Sequence, residues 1–219
     1  MYSYQLINGH YIVDVDGTKL LVDTGSLFSF SMISHFQEIA IDGVNYRLQG
    51  KPAIVDVEKI VEFVGTKIDG FIGLDIIRQT SLTIYKNGKI DFKAHDVDGK
   101  IMNLNTNRFL SFKVSINARS GQFIIDTGAK YGYGMRELFD GLTAYDHVKD
   151  YNPVLKALDS DIYHLDVVFD GIKKGVDICD NTRVYSMIEG CRALLIANVT
   201  TLFDDVCVIN VKKGTLTLK

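Results

Sequence analysis

The residues most able to do chemistry are aspartates that end apolar runs. The tripeptide DTG occurs twice, at residues 23–25 and 126–128, and the acidic motif DVDGT begins at Asp14. Two carboxylates held side by side cannot both ionise readily, so such a pair shares one proton. One carboxyl group can then act as a base and the other as an acid toward the same substrate.

The elements that must position these aspartates are predicted to be β-strands. The apolar runs are short and β-branched, and many are bounded by Gly or Asn. Asp16-Gly17 and Asn87-Gly88 are two-residue hairpin signals. Helical patterns are few, at residues 58–64, 135–139 and 146–158, the last with a break near Pro153. The sequence therefore predicts a mostly-β chain.

An internal repeat connects the two DTG copies. Each copy reads strand, tight turn, strand and DTG, and short matches then continue in the same order. Placing residues 71–77 against 194–200 sets Ile196 opposite Gly73. The repeat predicts a duplicated unit, with an N-terminal lobe at 1–100 and a C-terminal lobe at 101–219. The other matched segments are 41–44 with 169–172, 55–57 with 176–178, 68–70 with 188–190, and 85–93 with 210–219.

The repeat also separates the two acidic motifs. DVDGT resembles the opening motif of the haloacid-dehalogenase phosphatases, in which Asp14 would be the nucleophile. Its counterpart in the second copy, residues 115–121, has no acid pair, and another strand follows DVDGT where that family expects a helix. DVDGT is therefore predicted to be a hairpin turn, and the phosphatase remains a distant alternative.

The segments LLVDTGS (20–26), FIIDTGA (123–129) and FIGLDII (71–77) resemble the pepsin-like and retropepsin-like aspartic proteases. This resemblance implies a bilobal acid-protease fold, with two small β-barrel lobes related by a pseudo-two-fold axis and a cleft between them. It implies an aspartic endopeptidase in which Asp23 and Asp126 activate water, without a cofactor or a metal. Because one chain supplies both aspartates, a monomer is expected.

The resemblance also assigns roles to five neighbours of these aspartates. The two threonines would brace the loops across the axis. The two glycines would allow tight turns and support the carboxylates through backbone N–H groups, and the serine hydroxyl could donate to Asp23. These supporting residues are Thr24, Thr127, Gly25, Gly128 and Ser26. Position 129 is Ala, so Asp126 lacks that hydroxyl, and activity nearer neutral pH than in secreted pepsins is expected.

A cleft of this kind binds an extended peptide or an unfolded protein segment. The flap that covers the substrate is predicted either on a hairpin at residues 39–46, where Tyr46 would contact the substrate, or at the turn 49–52. A helical insertion is predicted near 135–160. The intact DTG pair favours an enzyme, while Ile196 and the uncertain flap leave a catalytically silent pepsin-fold peptide-binding module as the alternative.

Bulk composition narrows the partners further. The net charge is −3 and no basic stripe is evident, so nucleic acid is not expected to bind. No apolar run is long enough to span a membrane, and the N-terminus lacks the pattern of a signal peptide. The three cysteines have no metal-binding spacing and suggest reduced thiols, which favours a cytoplasmic protein. The five histidines show no ligand spacing either.

Overall fold

The computed structural model describes all 219 residues. Strands hold 48% of the chain and helices 12%, which confirms the prediction of a mostly-β protein. No helix is both long enough and apolar enough to cross a bilayer.

The strands are numbered here in chain order. The first nine are β1 (Tyr2–Ile7), β2 (His10–Val15), β3 (Thr18–Val22), β4 (Phe30–Ser31), β5 (Gln37–Ile41), β6 (Val44–Leu48), β7 (Gly70–Ile72), β8 (Leu82–Tyr85) and β9 (Lys89–Asp91). The others are β10 (Lys100–Asn103), β11 (Ser111–Ile116), β12 (Arg119–Ile125), β13 (Gly132–Gly134), β14 (Asp146–Asn152), β15 (Lys156–Phe169), β16 (Ile172–Asp180), β17 (Ala193–Ala197), β18 (Val206–Asn210) and β19 (Thr215–Leu218). The helices are α1 (Val57–Val64), α2 (Leu74–Thr80) and α3 (Thr182–Gly190), and a single 3₁₀ turn spans Arg136–Leu138.

The largest sheet draws strands from both sides of residue 100. Its ten strands lie in the order β10-β19-β18-β8-β9-β1-β2-β3-β7-β4. The first and last strands of the chain, β1 and β19, therefore belong to one sheet. Strand β18 pairs with β8, so main-chain hydrogen bonds directly join the two predicted lobes.

The second sheet closes on itself. Six strands follow in the order β11-β12-β17-β13-β16-β15, and pairing of β15 with β11 completes a closed barrel. Strand β14 extends this sheet beyond β15. The remaining strands, β5 and β6, form a separate hairpin.

Both DTG segments are anchored in one hydrophobic core. The largest buried cluster contains Val22, Ile72, Ile125 and Ala197, so strands from the two sheets insert side chains into it. Burial of a valine or isoleucine side chain stabilises the fold by about 1.5–3 kcal/mol. The strands that end at the two aspartates are therefore fixed by the largest core of the molecule.

The predicted helical insertion at 135–160 is wrong. Apart from the 3₁₀ turn, this stretch forms the antiparallel hairpin of β14 and β15. Buried and exposed side chains alternate along β15, which is the period of a strand rather than a helix. The turn between β14 and β15 is stabilised by the Asn152 side chain, which accepts the N–H groups of Val154 and Leu155 at 2.8 and 3.0 Å.

The helix predicted at 58–64 is confirmed as α1. Asp56 caps its N-terminus by accepting the Lys59 N–H at 3.1 Å, and Gly65 ends it in the left-handed region at φ 79°. Its buried face carries Ile60 and Val64. This face packs in a second cluster with the apolar side chains of β4 and β7.

Candidate active site

The two DTG loops follow strands that have matching surroundings. Strand β3 runs parallel to β7, and β12 runs parallel to β17. The Asp23 N–H donates to the Ile72 carbonyl at 2.9 Å, and the Asp126 N–H donates to the Ala197 carbonyl at the same distance. Each aspartate is thus held at the end of a buried strand by an equivalent main-chain bond.

The threonines of the loops bind each other. The Thr24 hydroxyl accepts the Thr127 N–H at 2.9 Å and donates to the Ile125 carbonyl at 2.8 Å. The Thr127 hydroxyl accepts the Thr24 N–H at 3.0 Å and donates to the Val22 carbonyl at 2.7 Å. Both threonines are fully buried. Four hydrogen bonds therefore connect two segments about a hundred residues apart, as the bracing role required.

Each carboxylate accepts backbone N–H groups of its own loop. Asp23 Oδ1 accepts the N–H groups of Gly25 and Ser26 at 2.8 and 3.0 Å. Asp126 Oδ1 accepts the Gly128 N–H at 3.0 Å, and the Ala129 N–H also lowers the pKa of Asp126. Since hydrogen bonds from N–H groups favour the charged form of a carboxyl, each loop favours ionisation of its own aspartate.

The role predicted for the Ser26 hydroxyl is wrong. That hydroxyl donates to the Phe28 carbonyl at 2.8 Å, and only the backbone N–H of Ser26 reaches the Asp23 carboxylate. The contrast between Ser26 and Ala129 therefore does not act through a hydroxyl donor. The fold of the loop brings the Phe28 carbonyl within reach of the Ser26 hydroxyl, so this hydroxyl binds the backbone and not the carboxylate.

The glycines of the loops are required by close approach. A Cβ built on Gly25 would lie 2.5 Å from Asp126 Oδ1, and a Cβ on Gly128 would lie 2.5 Å from Asp23 Oδ1. Neither glycine has a positive φ. The absence of a side chain, rather than an unusual backbone conformation, therefore lets each carboxyl sit against the opposite loop.

The carboxyl groups of Asp23 and Asp126 lie within hydrogen-bonding reach of each other. Burial raises the pKa of Asp23, against the hydrogen bonds that it accepts. Burial and the adjacent Asp23 carboxylate raise the pKa of Asp126 well above its usual range. The two groups therefore titrate as a pair and share one proton.

The sequence alignment of the supporting segments is wrong by two residues. Ile72 and Ala197 supply the carbonyls that bind the two aspartate N–H groups. The residues that follow them, Gly73 and Asn198, therefore occupy equivalent positions, and Ile196 is not the counterpart of Gly73. A Cβ on Gly73 would lie 2.7 Å from the Phe28 carbonyl, which explains why this position has no side chain.

Asn198 has a supporting role that its sequence position did not indicate. Its Nδ2 donates to the carbonyls of Gly9 and Thr127 at 3.1 and 3.2 Å. Its Oδ1 accepts the Thr200 N–H at 3.0 Å. The side chain therefore fastens the second DTG loop to the strand connection at Gly9.

A cavity of about 340 Å³ opens beside the two aspartates. Asp23 and Asp126 both lie on its wall, together with the supporting Gly25, Ser26 and Gly128. Most of the lining is apolar and comes from α1, β4, β7, the hairpin β14–β15 and the segment around Pro52. The arrangement places a proton-sharing carboxyl pair against an apolar surface large enough for several side chains.

The hairpin β14–β15 reaches across this cavity. The Tyr151 ring lies 5.7 Å from the Phe63 ring on α1, measured between centroids. The Lys156 ammonium donates to the Ile54 carbonyl at 2.9 Å. Pro153 and Val154, at the tip, line the cavity. The covering element thus comes from the second half of the chain and rests on the first.

The structure does not bring Tyr46 to the cavity. This residue lies on β6, opposite Ile39, and its side chain packs against the main core. The hairpin predicted at 39–46 does form, with Asp42 and Gly43 at its turn in the left-handed region, but it does not line the cavity. Of the two flap positions considered, only the turn at 49–52 contributes, through Pro52.

Several cavity residues were missed by sequence reasoning. His10 is 5% exposed, and neither of its ring nitrogens makes a hydrogen bond of normal geometry. Burial lowers its pKa to about 4, although the Gly128 backbone acts in the opposite direction. The Tyr151 hydroxyl is also buried without a partner. Asp150 is a third acidic residue on the wall. Only the folded hairpin brings Asp150 and Tyr151 here, so no local sequence signal marks them.

The DVDGT motif is a hairpin turn, as predicted. Asp16 and Gly17 adopt positive φ values of 51° and 83°, and the Asp14 carboxylate accepts the Gly17 N–H at 2.7 Å. Asp14 is exposed and does not line the cavity. Its carboxylate therefore holds a turn away from the paired aspartates.

All three cysteines, Cys179, Cys191 and Cys207, are free thiols. No group of three or more His, Cys, Asp or Glu side chains is arranged to hold a metal ion.

A scan against protein-family models gives no match, and a search of curated proteins gives none either. The class of protein is therefore inferred from the geometry of the paired loops.

Proposed function

We propose that this protein is an aspartic endopeptidase of the pepsin-like and retropepsin-like class, with Asp23 and Asp126 as its catalytic pair. The observation that carries the proposal is the exchange of four hydrogen bonds between the loops of Thr24 and Thr127. This exchange keeps two partly buried carboxyl groups in mutual reach, an arrangement that a pair of ordinary turns would not need.

The chemistry follows from the proton that the two carboxyls share. The ionised carboxyl of the pair removes a proton from an attacking water molecule, and the protonated carboxyl donates its proton to the carbonyl oxygen of the peptide bond as the water oxygen bonds to the carbonyl carbon. In the tetrahedral intermediate, the carboxyl that took the proton of the water gives it to the leaving nitrogen. A hydroxyl of the same carbon returns a proton to the other carboxyl as the C–N bond breaks.

The same proposal extends to the architecture and the substrate. The matching surroundings of β3 and β12 support two lobes related by a pseudo-two-fold axis, with the cavity as the cleft between them. An extended peptide or an unfolded protein segment would lie in this cleft under the hairpin β14–β15. One chain supplies both aspartates, so we propose a monomer without a cofactor, and the three free thiols support a cytoplasmic location.

The test is cleavage of a mixed peptide library by the parent and by Asp126→Asn, from about pH 4 to about pH 7.5, with products identified by mass spectrometry. Asp14→Asn is the matched control, since it removes a carboxylate from an exposed turn. Cuts made by the parent and by Asp14→Asn, but not by Asp126→Asn, are expected. Equal cleavage by the parent and Asp126→Asn would contradict the proposal.

A catalytically silent peptide-binding module is the second candidate. The observation that favours it is the mostly hydrophobic lining of the cavity, which can hold peptide side chains whether or not the two carboxyls react. A silent module cuts no peptide, and the substitution Asp126→Asn leaves its peptide affinity unchanged. The distant phosphatase alternative requires that Asp14→Asn abolish magnesium-dependent hydrolysis of p-nitrophenyl phosphate, which the turn geometry of Asp14 does not favour.

A further inference from the structure

Asp150 is a buried carboxylate on the cavity wall that the paired aspartates do not involve. It lies on β14 and is 8% exposed. Its Oδ2 accepts the Tyr133 hydroxyl at 2.6 Å, and its Oδ1 accepts the Tyr151 N–H at 2.8 Å. A carboxylate offers about four acceptor positions, so these two bonds leave part of its capacity unused.

No cation in the protein pairs with this carboxylate. Asp150 takes part in none of the ion pairs of the structure. Lys130 also lines the cavity, but its ammonium lies 4.9 Å from the centroid of the Tyr131 ring. Burial raises the pKa of Asp150, and its two hydrogen bonds and the charge of Lys130 do not fully offset this effect. Buried charges in proteins are usually paired, so the missing partner calls for an explanation.

Nearby groups make the wall around Asp150 more polar than the rest of the cavity. His10 and Lys130 line the same cavity and lie close to each other in the fold, since the charge of Lys130 acts on the ring of His10. The wall formed by α1, β4 and β7 is apolar by contrast. A substrate side chain in this cavity can therefore contact apolar side chains and the Asp150 carboxylate together. A long aliphatic stem that ends in a cation has this distribution of chemistry.

We propose that Asp150 forms a subsite for a cationic side chain of the bound peptide, a lysine or an arginine. This inference rests on the peptidase function proposed above. The ammonium or guanidinium would form the direct ion pair that Asp150 does not make within the protein, and it would occupy the unused acceptor positions. Asp150 is thus a specificity-determining residue and takes no part in bond cleavage.

Binding is measured first, in the Asp126→Asn background, so that the result does not depend on turnover. The probes are two matched libraries of short peptides, one containing Lys and Arg, the other norleucine and citrulline at the same positions. We expect the cationic library to bind about tenfold to a hundredfold more tightly, the range for a hydrogen bond to a charged group. Adding Asp150→Asn should abolish this preference. Adding Asp146→Asn, which removes an exposed carboxylate from the same strand, should leave it intact.

Equal binding of the two libraries, no binding of either, or a preference that survives Asp150→Asn would overturn the subsite. Asp150→Ser serves as a second variant if Asp150→Asn does not fold. Cleavage of the same libraries by the parent separates the two proposals. Selective, Asp150-dependent binding without cleavage would contradict the peptidase and support the subsite, whereas cleavage without a preference for cations would contradict the subsite alone.

Discussion

Thr24 and Thr127 each act as donor and acceptor toward the other's loop. Each hydroxyl accepts the N–H of the opposite threonine. It also donates to the last carbonyl of the strand that leads to that opposite threonine. Because both residues are fully buried, no water can replace a bond that is lost. The position of the two carboxyls relative to each other therefore depends on these two hydroxyl groups.

The first prediction concerns this exchange. Thr24→Val keeps the shape of the side chain but leaves the Thr127 N–H and the Ile125 carbonyl without the partner that Thr24 supplies. Each buried unsatisfied group costs about 1–3 kcal/mol, so the loss of both partners should lower the free energy of unfolding by about 2–6 kcal/mol. Urea denaturation measures the loss. Thr24→Ser retains the hydroxyl and should lose distinctly less; equal losses would mean that the hydrogen bonds are not what matters.

The second prediction concerns the glycines beside the carboxyls. Gly25→Ala would place a methyl group 2.5 Å from Asp126 Oδ1, so the loop or the carboxyl must move. A destabilisation of about 1–3 kcal/mol is expected from overpacking, together with loss of peptide cleavage. Gly190→Ala is the matched control, because a Cβ there meets nothing within 4 Å. Full activity in Gly25→Ala would show that the carboxyls need not approach as closely as described.

The third prediction concerns the proton shared by Asp23 and Asp126. Their raised pKa values mean that the folded protein binds more protons than the unfolded chain above about pH 4. The free energy of unfolding should therefore fall as the pH rises through the raised pKa values. Asp126→Asn removes the cost of ionising the second carboxyl in the folded protein. The variant should therefore be more stable than the parent near neutral pH and about equally stable in acid. Denaturation across pH tests this, and a variant less stable than the parent at neutral pH would refute it.

The fourth prediction concerns His10, for which stability should fall as the pH decreases and not as it rises. Burial and the charge of Lys130 lower its pKa to about 4, although the Gly128 backbone favours its protonation. The unfolded chain takes up a proton near pH 6.5, so stability should fall by up to about 3 kcal/mol as the pH decreases from about 6.5 to about 4. In His10→Gln this part of the pH dependence should disappear. If parent and variant give parallel curves over that interval, His10 is not the group responsible.

The sequence predicted the paired loops better than it predicted their surroundings. Asp23 and Asp126 were recognised because the same tripeptide follows an apolar strand twice, which is a local pattern with a long-range repeat. The helix α1 was also predicted from a local pattern, at residues 58–64, and the structure adds the Asp56 cap and the terminal Gly65 beside it.

The covering hairpin was missed because its two strands carry conflicting local signals. Residues 146–152 are polar and alternate poorly, so a helix with a break at Pro153 seemed as good an interpretation. The pairing of β14 with β15 and the contact of Tyr151 with Phe63 are tertiary interactions that override this weak preference. The register of Asn198 was missed likewise, because only the parallel pairing of β12 with β17 identifies Ala197, and not Leu195, as the partner of Ile125.

The joining of both DTG loops within a single chain has a consequence for how the carboxyl pair forms. Each loop meets the other as an intramolecular partner, at an effective concentration fixed by the connecting polypeptide. Strand β18, hydrogen-bonded to β8, tightens that connection further. Dilution therefore leaves the pair intact, whereas a site divided between two chains dissociates as the protein becomes scarce. The number of paired aspartates present depends on how much of the chain is folded and not on its concentration.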